Sequence, residues 1–146
     1  MNEFRMSQEE NANLDMPKTD IQNRADVELL VHTFYGRIRE HETLGPIFNG
    51  IVEDWPHHLN HLCDFWEMIL LQTGPGRRKF NPVGVHREVD KKVGHSLSQV
   101  HFGNWLELWF QTLNENFEGE VADYAKEHAR NMASILFFRI YDNRPK

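Results

Sequence analysis

A chain of 146 residues has the length of one domain, enough to bury a core and enclose a small ligand but crowded for two. Its net charge of -6 argues against nucleic acid and against an anionic membrane, which both need a basic footprint, and no apolar run is long enough to span a bilayer. One cysteine, Cys63, excludes an internal disulfide, and polar, acidic opening residues without an apolar signal core predict a cytoplasmic protein. Small molecules are the better partners for such a chain, and the 9 histidines and 4 tryptophans, most of them between His57 and Trp109, mark where a site would lie.

Residues 1–18 carry no helical or strand period and read as a mobile N-terminal extension. The series Thr19-Asp20-Ile21-Gln22 has the form of a capping box, and Asp26 offers a second cap before the amphipathic run Val27, Leu30, Val31, Phe34, Ile38. Tyr35 sits at the edge of that face, where its ring is buried and its hydroxyl seeks a polar contact. In Leu44-Gly45-Pro46-Ile47-Phe48 the glycine and proline predict a bend that delivers Phe48 inward.

Asp54 or Trp55 caps the next helix, with Pro56 in its first turn. Leu59, Leu62, Trp66, Ile69 and Leu70 recur at helical spacing, and His58 shares a face with Leu62, Phe65 and Ile69, so its imidazole points inward. A glycine-rich basic loop follows over residues 73–79, then a short segment from Asn81-Pro82 through Val83, Val85, His86 and Val89. That segment is too short to hold as a helix alone, and Gly84 weakens it further. Ser96-x-x-Gln99 resembles another capping box. It precedes a helix with Phe102, Trp105, Leu106, Trp109, Leu113 and Phe117 on one face. Val121, Ala125, His128, Met132, Ile135, Leu136 and Arg139 mark the last long helix, ahead of a polar tail at 143–146. With no strand alternation and no internal repeat, the class is all-α.

His86, on its weak segment, suits an axial ligand that adjusts to a metal, its second ring nitrogen donating to a backbone carbonyl about one turn earlier. His58, Tyr35 and Trp105 can each present an N–H or O–H from an otherwise apolar wall, as a ligand with partial negative charge requires. Trp66 and Trp109 read as core, since aromatic stripes at helical spacing are usually packing. His57 and His61 could hold zinc on a helix face, but no third ligand is apparent.

The order Phe34-Tyr35, Leu44-Gly-Pro-Ile-Phe48, Trp55-x-x-His58, Phe65-Trp66, Asn81-Pro-x-x-x-His86, His101-Phe-x-x-Trp105-Leu106 resembles the group III truncated haemoglobins from about Asp20 to Tyr141. The absence of any Gly-Gly pair suits group III better than groups I and II. The resemblance implies a truncated globin fold over 19–142, a two-over-two helical sandwich around haem b. It implies His86 as the iron ligand, and Tyr35, His58 and Trp105 on the distal side. Phe48 would stack against the haem, with Phe34, Leu62 and Phe65 completing its contacts. His95 and His101 lack the matching context of His86. The basic residues Arg77, Arg78, Lys79 and Arg87 pair with propionates or solvate a loop.

Two functional classes follow from the resemblance: reversible binding of O2, NO or CO with slow oxygen release, as in oxygen transport, or a haem enzyme with peroxidase-like or NO dioxygenase activity. The second draws electrons from a separate reductase. A haem-free helical domain with a histidine metal site or a purely structural role is the third reading.

Overall fold

The computed structural model describes residues 17–75 and 97–142, and these form five α-helices with no strand among them. They are α1 (Arg24–Glu40), α2 (Leu44–Ile51), α3 (Trp55–Leu71), α4 (Gln99–Asn116) and α5 (Glu120–Asp142). Helix α1 packs on α3, α4 packs on α5, and the two pairs lie against each other through α1 on α4 and α3 on α5. The short α2 closes one end against α1 and α4. The expectations for residues 1–16, 76–96 and 143–146 lie outside the described residues, and they include His86, His95, the Asn81-Pro82 segment, most of the basic loop and Ser96.

Helix α1 forms where its apolar period places it, with Val27, Leu30, Val31, Phe34 and Ile38 all fully buried. Each such side chain contributes about 1.5–3 kcal/mol relative to exposure. Its start differs from the expected one. Asn23 is the N-cap and accepts from the Asp26 backbone N–H at 3.0 Å, while the Asp26 carboxylate accepts from the N–H of Gln22 at 2.9 Å. Asp20 caps a different helix altogether: its carboxylate accepts from the N–H groups of Val121 and Ala122, at 2.8 and 2.9 Å, at the start of α5. The orphan donors of that helix are thus satisfied from 101 and 102 residues away.

The predicted bend at Leu44–Phe48 is instead the eight-residue helix α2. Pro46 falls in its first turn, where a missing N–H breaks no helical bond. Gly45 is needed for a different reason, since a Cβ there would lie 2.6 Å from the carbonyl oxygen of Arg39. Only a glycine lets the two helices approach so closely.

Helix α3 begins as expected, with Asp54 accepting from the His57 backbone N–H at 3.2 Å and a proline in the first turn. Cys63, Phe65, Trp66 and Leu70 are its buried residues, and Leu59, Leu62 and Ile69 are partly buried against the same core. Arg24 of α1 ties the pair together by donating to Asp64 at 2.6 Å, Glu67 at 2.8 Å and Asn60 at 3.0 Å. Arg37 does the same between α1 and α4, donating to Thr112 at 3.2 Å and to Glu115.

Ser98, not Ser96, is the N-cap of α4, and its backbone N–H donates to Nδ1 of His101 at 3.0 Å. His101 is therefore occupied in capping the start of α4. Helix α5 follows expectation at Ala125 and Leu136, both buried, and at the partly buried Val121 and Met132, but not at Ile135. Its buried face is Ala122, Ala125, Ala129, Ala133, Leu136 and Ile140, whereas Ile135 is 53% exposed. Four alanines let α5 lie close to its neighbours, so the packing surface of this helix is small-residue backbone, with few bulky side chains. The expected core tryptophans are confirmed: Trp66 and Trp109 stack at 4.6 Å, and the Trp109 indole N–H donates to the Ala125 carbonyl at 3.1 Å.

Candidate functional site

The site grows from Tyr35 in the middle of α1. Its residue position turns it away from the Phe34 core toward α2 and the start of α3. Its ring meets Phe48 at 5.9 Å, Trp55 at 6.1 Å and His58 edge-on at 6.2 Å. Trp55 and His58, one turn apart on α3, meet each other at 5.7 Å. The capped, proline-started first turn of α3 thus fixes both rings against Tyr35.

Trp105 reaches the same point from α4, where its indole donates to the Tyr35 hydroxyl. An indole N–H can only donate, so the tyrosine oxygen is the acceptor and its own proton is aimed elsewhere. Burial raises the phenol well above its ordinary pKa, and the bond from Trp105 opposes this only in part, so Tyr35 is a neutral donor at any physiological pH. Phe34 lies fully buried behind the cluster, its ring edge-on to Tyr35 at 4.8 Å, Trp105 at 5.3 Å and Trp109 at 4.9 Å. The cluster is therefore backed by rigid aromatic packing.

Of the residues expected at the site, Tyr35, Phe48, His58 and Trp105 converge, with Phe34 as their support. Leu62 is partly buried against the core one turn after His58. Phe65 lies farther along α3, where its ring neighbours Trp66 at 5.3 Å and His128 of α5 at 6.5 Å. His86 falls outside the described residues. Trp55 was read as a possible cap and as part of the Trp55-x-x-His58 motif, without a site role, yet it is a wall of the cluster, held from outside by the Arg39 guanidinium 4.6 Å over its ring. The signal that could have found it is its spacing from His58, one turn away on the same face. His57 and His61 are exposed, 5.3 Å apart, and no group of three or more His, Cys, Asp or Glu among the described residues could hold a metal ion. No helix among the described residues is long and apolar enough to cross a membrane.

Two helix pairs pack on each other, with Tyr35, His58 and Trp105 converging at an aromatic wall between them. No family model matches the chain. It is 28% identical over 123 residues to the group 3 truncated hemoglobin of Campylobacter jejuni, a match that covers 82% of this chain and 91% of that protein. The crystal structure of the group III truncated hemoglobin from Campylobacter jejuni superposes with a TM-score of 0.75 at 25% identity, covering 89% of this chain and all of that one. The resemblance to the group III truncated haemoglobins is thus borne out in sequence and in fold.

Proposed function

We propose that this chain binds haem b and, through it, reversibly binds small diatomic ligands such as O2, NO and CO. The observation that carries the reading is the convergence of Phe48, Trp55 and His58 on the Tyr35 ring, with the Trp105 indole in hydrogen-bonding reach of the tyrosine hydroxyl. These residues fit the group: a flat macrocycle needs apolar and aromatic walls, and a polar ligand beside it needs a few fixed donors. Phe48, Leu62 and Phe65 serve the first need on this reading, with Phe34 backing them from the core in place of the direct haem contact expected of it, and Tyr35, His58 and Trp105 serve the second. His86 is the proposed iron ligand, on the strength of the Asn81-Pro-x-x-x-His86 motif. When bound, haem supplies the metal position that a diatomic gas occupies.

Trp105, by donating to the Tyr35 oxygen, makes the tyrosine proton a stronger donor. A ligand with partial negative charge would accept a hydrogen bond from that O–H, which slows its release. A separate reductase is the expected source of electrons, and the single cysteine suits a reducing cytoplasm. The test is the absorption spectrum of the purified chain reconstituted with iron protoporphyrin IX. A Soret band that shifts under CO is expected, and its absence refutes the haem reading. In His86→Gly the iron-bound nitrogen signature should vanish and return on adding imidazole; its persistence without imidazole would remove His86 from the iron.

A further inference from the structure

A file of aromatic rings leads from Trp105 through the core to the surface. Trp105 stacks on Trp109 at 5.7 Å with planes 11° apart, and Trp109 stacks on Trp66 at 4.6 Å. Trp66 meets His128 edge-on at 5.7 Å, and His128 lies 5.8 Å from Tyr124. Trp109 and Trp66 are 0% and 1% exposed, whereas Tyr124 is 47% exposed. The file thus begins at the ligand cluster, crosses the interior and ends on a phenol open to solvent.

Stacked tryptophans alone are ordinary core packing. The continuation past the core is what packing does not require: an imidazole and a half-exposed phenol carry the ring contacts outward along α5. Tryptophan and tyrosine are the side chains that most readily give up one electron. Electron tunnelling falls exponentially with the gap, so rings in contact exchange electrons far faster than separated ones.

We propose that this file is a hole relay, in which a strongly oxidising equivalent arising beside Trp105 passes through Trp109 and Trp66, across His128, to Tyr124, where a small donor in solution discharges it. The proposal rests on the haem reading and names the partners of the site: hydrogen peroxide as oxidant and a thiol or phenol as reductant. Peroxide takes up two electrons and two protons, its O–O bond breaks, and two waters leave. One electron is drawn along the file in each of two passages. Each passage leaves Tyr124 as a neutral tyrosyl radical, its phenolic proton having gone to water, and one reductant molecule returns a hydrogen atom to it. Two reductants are oxidised per peroxide, and the released protons balance those consumed.

Two details suit the route. The Trp109 indole N–H donates to the Ala125 carbonyl at 3.1 Å, so the proton made acidic by a hole on that ring already has an acceptor. Burial holds His128 below its ordinary pKa, and a neutral imidazole adds no positive charge beside a passing hole. Tyrosine and tryptophan yield electrons only to strong oxidants, so the file discharges peroxide-derived equivalents and does not reduce the resting ferric protein.

The test treats the haem-loaded chain with hydrogen peroxide and a nitroso spin trap, and maps the adducts by mass spectrometry alongside freeze-quench electron paramagnetic resonance. An adduct at Tyr124 with a tyrosyl signal is expected. Trp66→Phe should lose that adduct although Tyr124 is intact, and Tyr124→Phe should accumulate oxidised products on Trp66 or Trp109. Unchanged labelling of Tyr124 in Trp66→Phe, or adducts confined to Tyr35, overturns the relay. Should Trp66→Phe not fold, Tyr124→Phe decides on its own, because no rise in tryptophan oxidation defeats the proposal. The Soret band recorded before peroxide separates the two readings: its absence defeats both, and its presence without transfer to Tyr124 defeats the relay alone.

Discussion

Trp105 on α4 donates its indole N–H to the hydroxyl of Tyr35 on α1, whose ring is bounded by Phe48, Trp55 and His58. A hydrogen bond to a partly charged ligand contributes on the order of 1.5–3 kcal/mol, about ten- to a hundredfold in affinity. Tyr35→Phe and Trp105→Phe should therefore release oxygen faster than the parent by about that factor, measured by stopped-flow displacement with CO. Because the two donors form one chain, the double variant should lose less than the product of the single effects. Unchanged release in both single variants would remove these residues from ligand binding.

Gly45 and Arg39 bring α2 against the end of α1. A methyl group on Gly45 would sit 2.6 Å from the Arg39 carbonyl oxygen, a rigid backbone atom that cannot turn aside. Gly45→Ala should cost about 1–3 kcal/mol in urea unfolding. Gly36, mid-helix in α1, has nothing within 4 Å of the position its Cβ would take, so Gly36→Ala should gain about 0.5–1 kcal/mol from helix propensity. Equal effects from the two substitutions would show that the close approach at Gly45 is not the constraint.

Asp20 joins the chain's entry to the start of α5, with its carboxylate bonded to the N–H groups of Val121 and Ala122. Asp20→Ala should destabilise by about 0.5–2 kcal/mol, and Asp20→Asn, which keeps one acceptor oxygen, by less. Hydrogen exchange should localise the loss to the first turn of α5. Faster exchange at Arg24–Asp26 instead would restore the local capping role that the sequence suggests.

Asp20 also shows where legibility ends. Thr19-Asp20-Ile21-Gln22 has the local form of a capping box, but nothing local reveals that the carboxylate's partner lies a hundred residues on. Helices α1, α3 and α4 were legible because their large apolar residues repeat at helical spacing. The face of α5 was legible only in part, at Ala125, Leu136 and the partly buried Val121 and Met132, because Ala122, Ala129 and Ala133 add burial without the bulk that a hydrophobic stripe displays. Helix α2 was misread because glycine and proline signal a break, whereas in a first turn proline is harmless and here glycine serves close contact. The convergence of Tyr35, Phe48, His58 and Trp105 came from a motif order; Trp55 stood in that order too, but a tryptophan at a helix start reads as a cap neighbour and so received no site role.

Cys63 supplies a pH test of the α1–α3 contact. Burial pushes its thiol up to about 11, and the carboxylates of Glu28, Asp64 and Glu67 push the same way against the opposing charge of Arg24. The folded chain therefore holds this proton more tightly than the unfolded chain does. The corresponding stability is fully present below the unfolded pKa and is lost as the pH rises through the folded value. Between about pH 9 and 11 the parent should lose on the order of 1–2 kcal/mol more than Cys63→Ala, measured by urea unfolding at each pH. Iodoacetamide at about pH 8 should modify Cys63 far more slowly than a small free thiol, because the thiolate is the nucleophile. Parallel pH slopes in parent and variant, together with rapid alkylation of the folded chain, would place Cys63 at a solvent-open position and undo the packing of α3 on α1 described above.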